Sequence, residues 1–200
     1  MKKPMEHQTH FFFAVRIPAE TKLIMKDHCE KLKETISFSR WVYYQDLHIT
    51  LAFLGFAPSE KHNDAEKKVK EVLNHTESLK LQINKLGFFG RADSPRIFWA
   101  DTMESDQLQI VRKKVFSACE SAGFQLETRP FRPHITLARK WIGEKPFETQ
   151  LLDRWLELQP EPLAFEATDV VLYQTHLTKT PKYEAKTVFP FIHNKNENSS

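Results

Sequence analysis

Cysteine is scarce in this chain: Cys29 and Cys119 are the only two among 200 residues, and neither has a second cysteine near it. That rules out paired-cysteine zinc and dithiol redox patterns, and both read as ordinary reduced thiols. Glycine is equally sparse, with five in all. There is no Gly-rich phosphate loop, no Gly-x-Ser-x-Gly nucleophile elbow and no His-x-x-x-His metal pair. No apolar run approaches the ~20 residues of a membrane-spanning helix. Residues 4–10, behind Met1-Lys2-Lys3, are polar, so no secretory signal core is read and a soluble cytoplasmic protein is expected. Charge of one sign is missing too. A formal net charge of +3 is too small for a general nucleic-acid-binding surface, so an anionic substrate must be held locally.

What is present is an average globular composition, 40% hydrophobic and 28% charged, in a length that suits one compact unit or two small lobes. Residues 10–17 carry Phe11, Phe12, Phe13 and Val15 and read as a buried strand closed by Pro18. Helical spacing follows over 19–36, β-type composition over 41–44 and 47–54, and a charged helix over 59–75 with Ser59 as a cap. Strands are expected at 80–89 and 97–101. Leu108, Val111, Val115, Phe116 and Cys119 recur at three- and four-residue steps, which predicts a helix over 105–122 stopped by Gly123. Further elements are a strand at 134–138, a helix at 147–158, and strands at 165–173 and 186–191. Residues 1–9 and 194–200 read as loose tails. Strands and helices mix without strict alternation, which argues for an α+β fold.

The pentapeptide His-Ile-Thr-Leu-Ala occurs twice, at 48–52 and 134–138, with its histidines 86 positions apart (134 minus 48). In a strand His48 and Thr50 share one face while Ile49 and Leu51 point into the core, and His134 and Thr136 repeat the arrangement. Each copy therefore offers an imidazole beside a hydroxyl on a rigid backing. Displacement at phosphorus needs a base beside the attacking oxygen and an acid beside the departing one. Two histidines with unperturbed pKa near ~6.5 supply both, with hydroxyls left to bind the non-bridging oxygens. One such motif alone would be an ordinary strand histidine; the pair points to phosphoester chemistry. His7, His10, His28, His62, His75 and His193 lack paired context and read as surface residues.

Leu47-His48-Ile49-Thr50-Leu51-Ala52-Phe53-Leu54-Gly55 and Phe131-Arg132-Pro133-His134-Ile135-Thr136-Leu137-Ala138-Arg139 resemble the paired motifs of the two-histidine phosphoesterase superfamily. Within it the chain is similar to the RNA 2',3'-cyclic phosphodiesterase branch, also called the 2'-5' RNA ligase family. The resemblance runs from Phe12-Phe13-Ala14 through Trp41-Val42 to Leu172-Tyr173 and Tyr183. It implies a single domain over 1–200, built as two pseudo-symmetric lobes of antiparallel sheet and helices around a central cleft. It implies an enzyme that hydrolyses a terminal 2',3'-cyclic phosphate to a 2'-phosphate without metal or cofactor, with weak 2'-5' ligation as a side activity. His48 is implied as proton donor to O3' and His134 as the base on water, with Thr50, Thr136 and Arg139 on the phosphate.

Phe13 is implied as a stacking surface for a terminal base, and Arg132 adds local positive charge along with Arg129 and Lys140. Arg139 lies an odd number of positions from His134, so reaching the cleft requires a bulge or strand end between them. Thr175 stands where relatives often place serine, followed by an unplaced His176. The expected partner is RNA ending in a 2',3'-cyclic phosphate, with no membrane and a monomeric chain. Two alternatives stay open: a phosphodiesterase for a small cyclic nucleotide, an ADP-ribose cyclic phosphate or a 2'-5' oligonucleotide, and a non-catalytic RNA- or nucleotide-binding module.

Overall fold

A computed structural model describes residues 9–193; of the expected tails at 1–9 and 194–200, all but Thr9 lies outside the described residues. The order is β1 (Phe11–Arg16), α1 (Ala19–Leu32), β2 (Phe38–Trp41), β3 (His48–Gly55), α2 (Ser59–Leu73), β4 (Leu79–Arg91), β5 (Ser94–Thr102), α3 (Asp106–Ser121), β6 (His134–Trp141), α4 (Arg154–Leu158), β7 (Leu163–Ala167), β8 (Asp169–Thr175) and β9 (Tyr183–Pro190). Helix α3 starts where Ser105 Oγ accepts the Leu108 N–H at 3.2 Å, and Gly123 (φ 89°) follows its end. Ser59 is the first residue of α2 rather than its cap, because Pro58 precedes it.

Other expectations change as well. Residues 147–158 break into a 3-10 turn (Thr149–Asp153) and the five-residue α4. The run 165–173 divides into β7 and β8. Strands β4 and β5 are longer than expected and close tightly through Ala92 and Asp93, whose carboxylate accepts Arg91 Nε at 3.0 Å and Nη2 at 2.8 Å. His28 and His62 are also buried rather than on the surface. His28 lines up with Thr21, Met25 and Leu32 on the inner stripe of α1, and His62 with Ala65, Val69 and Leu73 on that of α2. Helical period outweighs histidine's usual preference there. His28 meets Gln159 Oε1 at 2.9 Å, and His62 lies edge-on to Phe11 at 4.1 Å. Burial pushes both free cysteine thiols up to about 12, consistent with unreactive side chains.

All strand pairs form one antiparallel sheet in the order β7-β4-β5-β6-β3-β1-β8-β9, with β2 also paired to β6. The sheet divides at its middle, where β3 and β6 pair only at Ile49 and Ile135. On each side a strand and a helix precede a central strand, β1 and α1 before β3, with β2 intervening, and β5 and α3 before β6. One hydrophobic core serves both halves, joining Phe13, Val15, Ile49 and Leu51 to Phe98, Ala100, Ile135 and Leu137 under the helices. The opposite face carries a smaller cluster of Phe12, Ala14, Val171 and Tyr173, edged by Tyr183. Helices thus cover one face of the sheet, and His48 lies against Phe12 on the other.

Both repeats carry the same irregularity. Between Phe98 and Trp99 of β5 the partner on β6 steps from Ala138 to Thr136, leaving Leu137 extra. Between Phe13 and Ala14 of β1 the partner on β3 steps from Ala52 to Thr50, leaving Leu51 extra. Such a bulge inverts the alternation beyond it. Leu51 and Ala52 are therefore both buried, as are Leu137 and Ala138, and the next residues, Phe53 and Arg139, emerge on the side of the histidines.

Gly87 faces Trp99 across β4 and β5, and a Cβ there would overlap the indole ring. Gly87→Ala must displace a buried tryptophan, and overpacking of this kind costs about 1–3 kcal/mol. Urea unfolding should show that loss together with a shifted tryptophan emission. An unchanged midpoint and spectrum would mean that Trp99 does not need the vacancy.

Candidate active site

The register at Ile49 and Ile135, extended one residue each way, sets His48 opposite Thr136 and Thr50 opposite His134. Two imidazoles and two hydroxyls thus occupy alternate corners of one patch. Local backbone orients both rings alike. His48 Nδ1 lies 2.7 Å from the Asp46 carbonyl and His134 Nδ1 lies 2.7 Å from the Arg132 carbonyl, each two residues upstream. A carbonyl only accepts, so both Nδ1 atoms carry hydrogen and the neutral rings present Nε2 as the free base. His48 Nε2 is 3.0 Å from Thr50 Oγ1, whose hydroxyl donates to it in that tautomer.

Aromatic rings wall each histidine. His48 has Phe12 at 4.9 Å and Tyr183 edge-on at 5.2 Å; His134 has Phe89 edge-on at 5.0 Å and Trp99 at 6.0 Å. Burial among them is the largest influence on both rings and disfavours the charged form. It lowers the His48 pKa from 6.5 to about 4, outweighing the opposing hydrogen bond to the Asp46 carbonyl; Lys22, His134 and Arg139 lower it further. His134 is also held below its ordinary value, with Arg139 and Arg132 adding to burial and Asp101 acting against it.

The sequence-derived residues separate cleanly in space. His48, Thr50, His134, Thr136 and Arg139 come together, and Arg139 acts electrostatically on both histidines and on Tyr183. Arg132 contributes its carbonyl to His134 and places its guanidinium 5.6 Å from the Phe89 ring centre and 5.9 Å from that of Trp99. Phe13 does not join them: it is fully buried on the helix side of the sheet, its ring 5.8 Å from Phe189. Alternation along β1 turns Phe12 to the cleft and Phe13 away from it. Thr175 pairs with Tyr183 at the start of the β8–β9 ladder, and His176 is spent on Glu184 at 2.5 Å.

Two residues lie outside the sequence-derived set. Phe53 occupies in the first repeat the place of Arg139 in the second, and it is 57% exposed. Aligning the repeats one residue further would have found it. Asp46 is buried, and while its carbonyl orients His48 its carboxylate accepts the backbone N–H groups of Lys182 at 2.9 Å and Tyr183 at 3.0 Å. One residue thereby fixes both the His48 ring and the tyrosine packed against it. No sequence signal links Asp46 to Tyr183 across such a separation. Among the described residues no group of three or more His, Cys, Asp or Glu side chains converges as a metal site would require, and no helix is long and apolar enough to cross a membrane.

Comparison with known proteins places this geometry. The RNA 2',3'-cyclic phosphodiesterase of Geobacillus stearothermophilus is 38% identical over 185 residues, covering 92% of this chain, and the chain spans only 58% of that relative's length. The protein of the same name from Bacillus subtilis is 31% identical over 175 residues, 88% of this chain and 92% of the relative. Among solved structures, E. coli LigT complexed with 3'-AMP superposes with a TM-score of 0.72 at 22% identity, covering 92% of this chain and 98% of that one, a likeness of fold. A model of the 2'-5' RNA ligase superfamily matches residues 25–179. The duplicated histidine strands, the shared fold and that match agree: the chain belongs to the 2'-5' RNA ligase superfamily.

Proposed function

We propose that the chain is an RNA 2',3'-cyclic phosphodiesterase, with His48 and His134 as its acid and base. The observation that carries this reading is two Nδ1-anchored imidazoles presenting Nε2 to one cleft, beside Arg139. The names of the relatives from Geobacillus and Bacillus support the substrate. His134 takes a proton from water as its oxygen bonds to phosphorus; the P–O3' bond breaks and O3' takes the proton from His48. A 2'-phosphate and a free 3'-hydroxyl result, and solvent exchange restores the two imidazoles. Thr50, Thr136 and the Arg139 guanidinium meet the non-bridging oxygens, where charge accumulates. With a 5'-hydroxyl in place of water the same displacement would give a 2'-5' linkage, which abundant water suppresses.

Burial suits this division. Burial lowers the His134 pKa and so favours the neutral ring that accepts a proton, whereas His48, once protonated, is an unusually strong acid for an alkoxide leaving group. The anionic phosphodiester supplies the opposing charge that restores a proton to His48. Phe53 takes the base-stacking place that Phe13 cannot. It is an exposed ring on the cleft side, and aromatic faces hold unpaired bases by stacking worth roughly 1–3 kcal/mol.

The decisive experiment offers a short RNA ending in a 2',3'-cyclic phosphate and identifies the monoester formed. A 2'-phosphate is expected; a 3'-phosphate would reverse the assigned polarity, and no turnover of RNA alongside cleavage of free cyclic nucleotides would replace the substrate.

His48→Ala and His134→Ala should each lower kcat by about 10²–10⁴-fold, with the double variant little worse, because acid and base act in one step. Both pKa values are displaced downward, so the bell-shaped kcat/KM profile of the wild type should peak on the acid side of pH 6.5. An optimum well above neutrality would refute control by these buried imidazoles, and inhibition by EDTA reversed by one metal would refute a metal-free reaction.

Phe53→Ala should raise KM about tenfold or more with a smaller change in kcat, as loss of one stacked base predicts. Equal KM values would remove the stacking role.

A further inference from the structure

Beyond Arg139 the sheet carries a second concavity. Strands β2, β5 and β6 enclose about 390 Å³, lined by Arg40, Arg96, Arg139 and Lys140 together with Ile97 and Trp141. No carboxylate lines it. Elsewhere Lys33, Arg91, Arg129 and Arg154 reach carboxylate oxygens at 2.6–2.9 Å. Among the described residues, none of the four groove cations enters an ion pair. Scarcity of acid is not the cause, since the chain holds 26 acidic residues against 29 basic ones.

The backbone enforces this crowding. Arg40 stands directly opposite Arg139 across the β2–β6 ladder, and Ile97 faces Arg139 from β5. Like charges paired in this way repel unless an anion lies between them. Lys140 has φ 62°, a conformation uncommon for a residue with a side chain. The turn it makes sends Trp141 to the core side, its ring 5.4 Å from Phe38 and 5.2 Å from Phe147, and leaves Lys140 exposed at the groove.

We propose that this groove binds the phosphodiesters immediately 5' of the terminal nucleotide, so that the protein selects polynucleotide ends over free cyclic nucleotides. The inference rests on the RNA reading above. A cyclic phosphate occupies the 2' and 3' oxygens of the last nucleoside, so the remainder of an RNA leaves through the 5' oxygen, and its first phosphate is the nearest further anion. Arg139 belongs to both the cleft and the groove, which makes them continuous. Guanidinium groups are suited to this task because their planar N–H pairs match phosphate oxygens and stay charged at any working pH.

The test uses Arg40→Ala/Arg96→Ala, which spares Arg139. For an octaribonucleotide ending in a 2',3'-cyclic phosphate, KM should rise on the order of tenfold. The salt slope of log kcat/KM should fall by about 1.4, which is two contacts at ~0.7 each for a single strand. For a mononucleoside 2',3'-cyclic phosphate, which has no upstream phosphate, both should stay as in wild type. Equal losses on the two substrates, or none on the octamer, would overturn the groove. Binding of a labelled octamer ending in a 3'-phosphate, read by fluorescence anisotropy, separates this from the reaction itself. Weaker binding by the double variant upholds the groove even if neither substrate turns over, and unchanged binding rejects it even if both do. Matching thermal unfolding of variant and wild type confirms that folding is not being read.

Discussion

The short ladder between β3 and β6 is the constraint on which the site depends. Antiparallel pairing at Ile49 and Ile135 makes the two motifs approximate two-fold mates, so His48 and Thr50 lie across the seam from His134 and Thr136. Had the ladder continued along both motifs, the strands would run side by side about 4.8 Å apart and leave no space for a phosphodiester. Instead the edge of β6 passes from β3 to β2, which pairs with it at Ala138, Arg139 and Trp141. The halves splay on the cleft face while one continuous core holds them together on the other.

Positioning at this seam is achieved by backbone more than by side-chain networks. Each Nδ1 is tied to a carbonyl two residues upstream, an anchor that depends only on strand entry geometry. Around it the first lobe adds a longer-range link. The buried Asp46 carboxylate fastens the start of β9, and with it Tyr183, over the His48 ring. Nearby, Arg16 and Asp169 make a two-pronged pair at 2.9 and 2.5 Å that ties β1 to β8 beneath the same cluster. Rings, carboxylate and carbonyl together remove water from His48, and desolvation prevails over the hydrogen bond that would favour its cation. Burial therefore favours the neutral form of both imidazoles, and an anion beside them would favour protonation.

Much of this was legible in the sequence because strand and helix periods are local. The α+β class, the long amphipathic α3 with its terminal glycine, and the placing of His48, Thr50, His134 and Thr136 on shared faces all follow from spacing. The bulge needed to bring Arg139 round could be deduced from parity, and the register places it at Leu137. Phe13 shows the limit: in a run of three phenylalanines nothing local says which face is core, and packing against Phe189 decides it. Residue type points His28 and His62 to the surface, whereas their helical spacing sets them on the inner stripes of α1 and α2. Asp46 and Tyr183 meet only through the fold, and groove residues Arg40 and Arg96 converge from strands that do not pair with each other.

Two identical pentapeptides with identical bulges would build a cleft that a phosphodiester could enter in either sense, with acid and base interchangeable. The sixth residue breaks the tie. The same backbone turn delivers an apolar ring at Phe53 and a permanent cation at Arg139. A terminal nucleotide has matching ends, a base that stacks and a phosphate that pairs with guanidinium. In the proposed reaction its orientation would follow from placing each end on its counterpart, and which histidine faces O3' would follow from that orientation. Unequal burial reinforces the distinction by separating the two imidazoles electrostatically before any substrate arrives. Polarity in the proposed reaction is thus a property of what was added to the duplicated motif, while the capacity to move protons belongs to the motif itself.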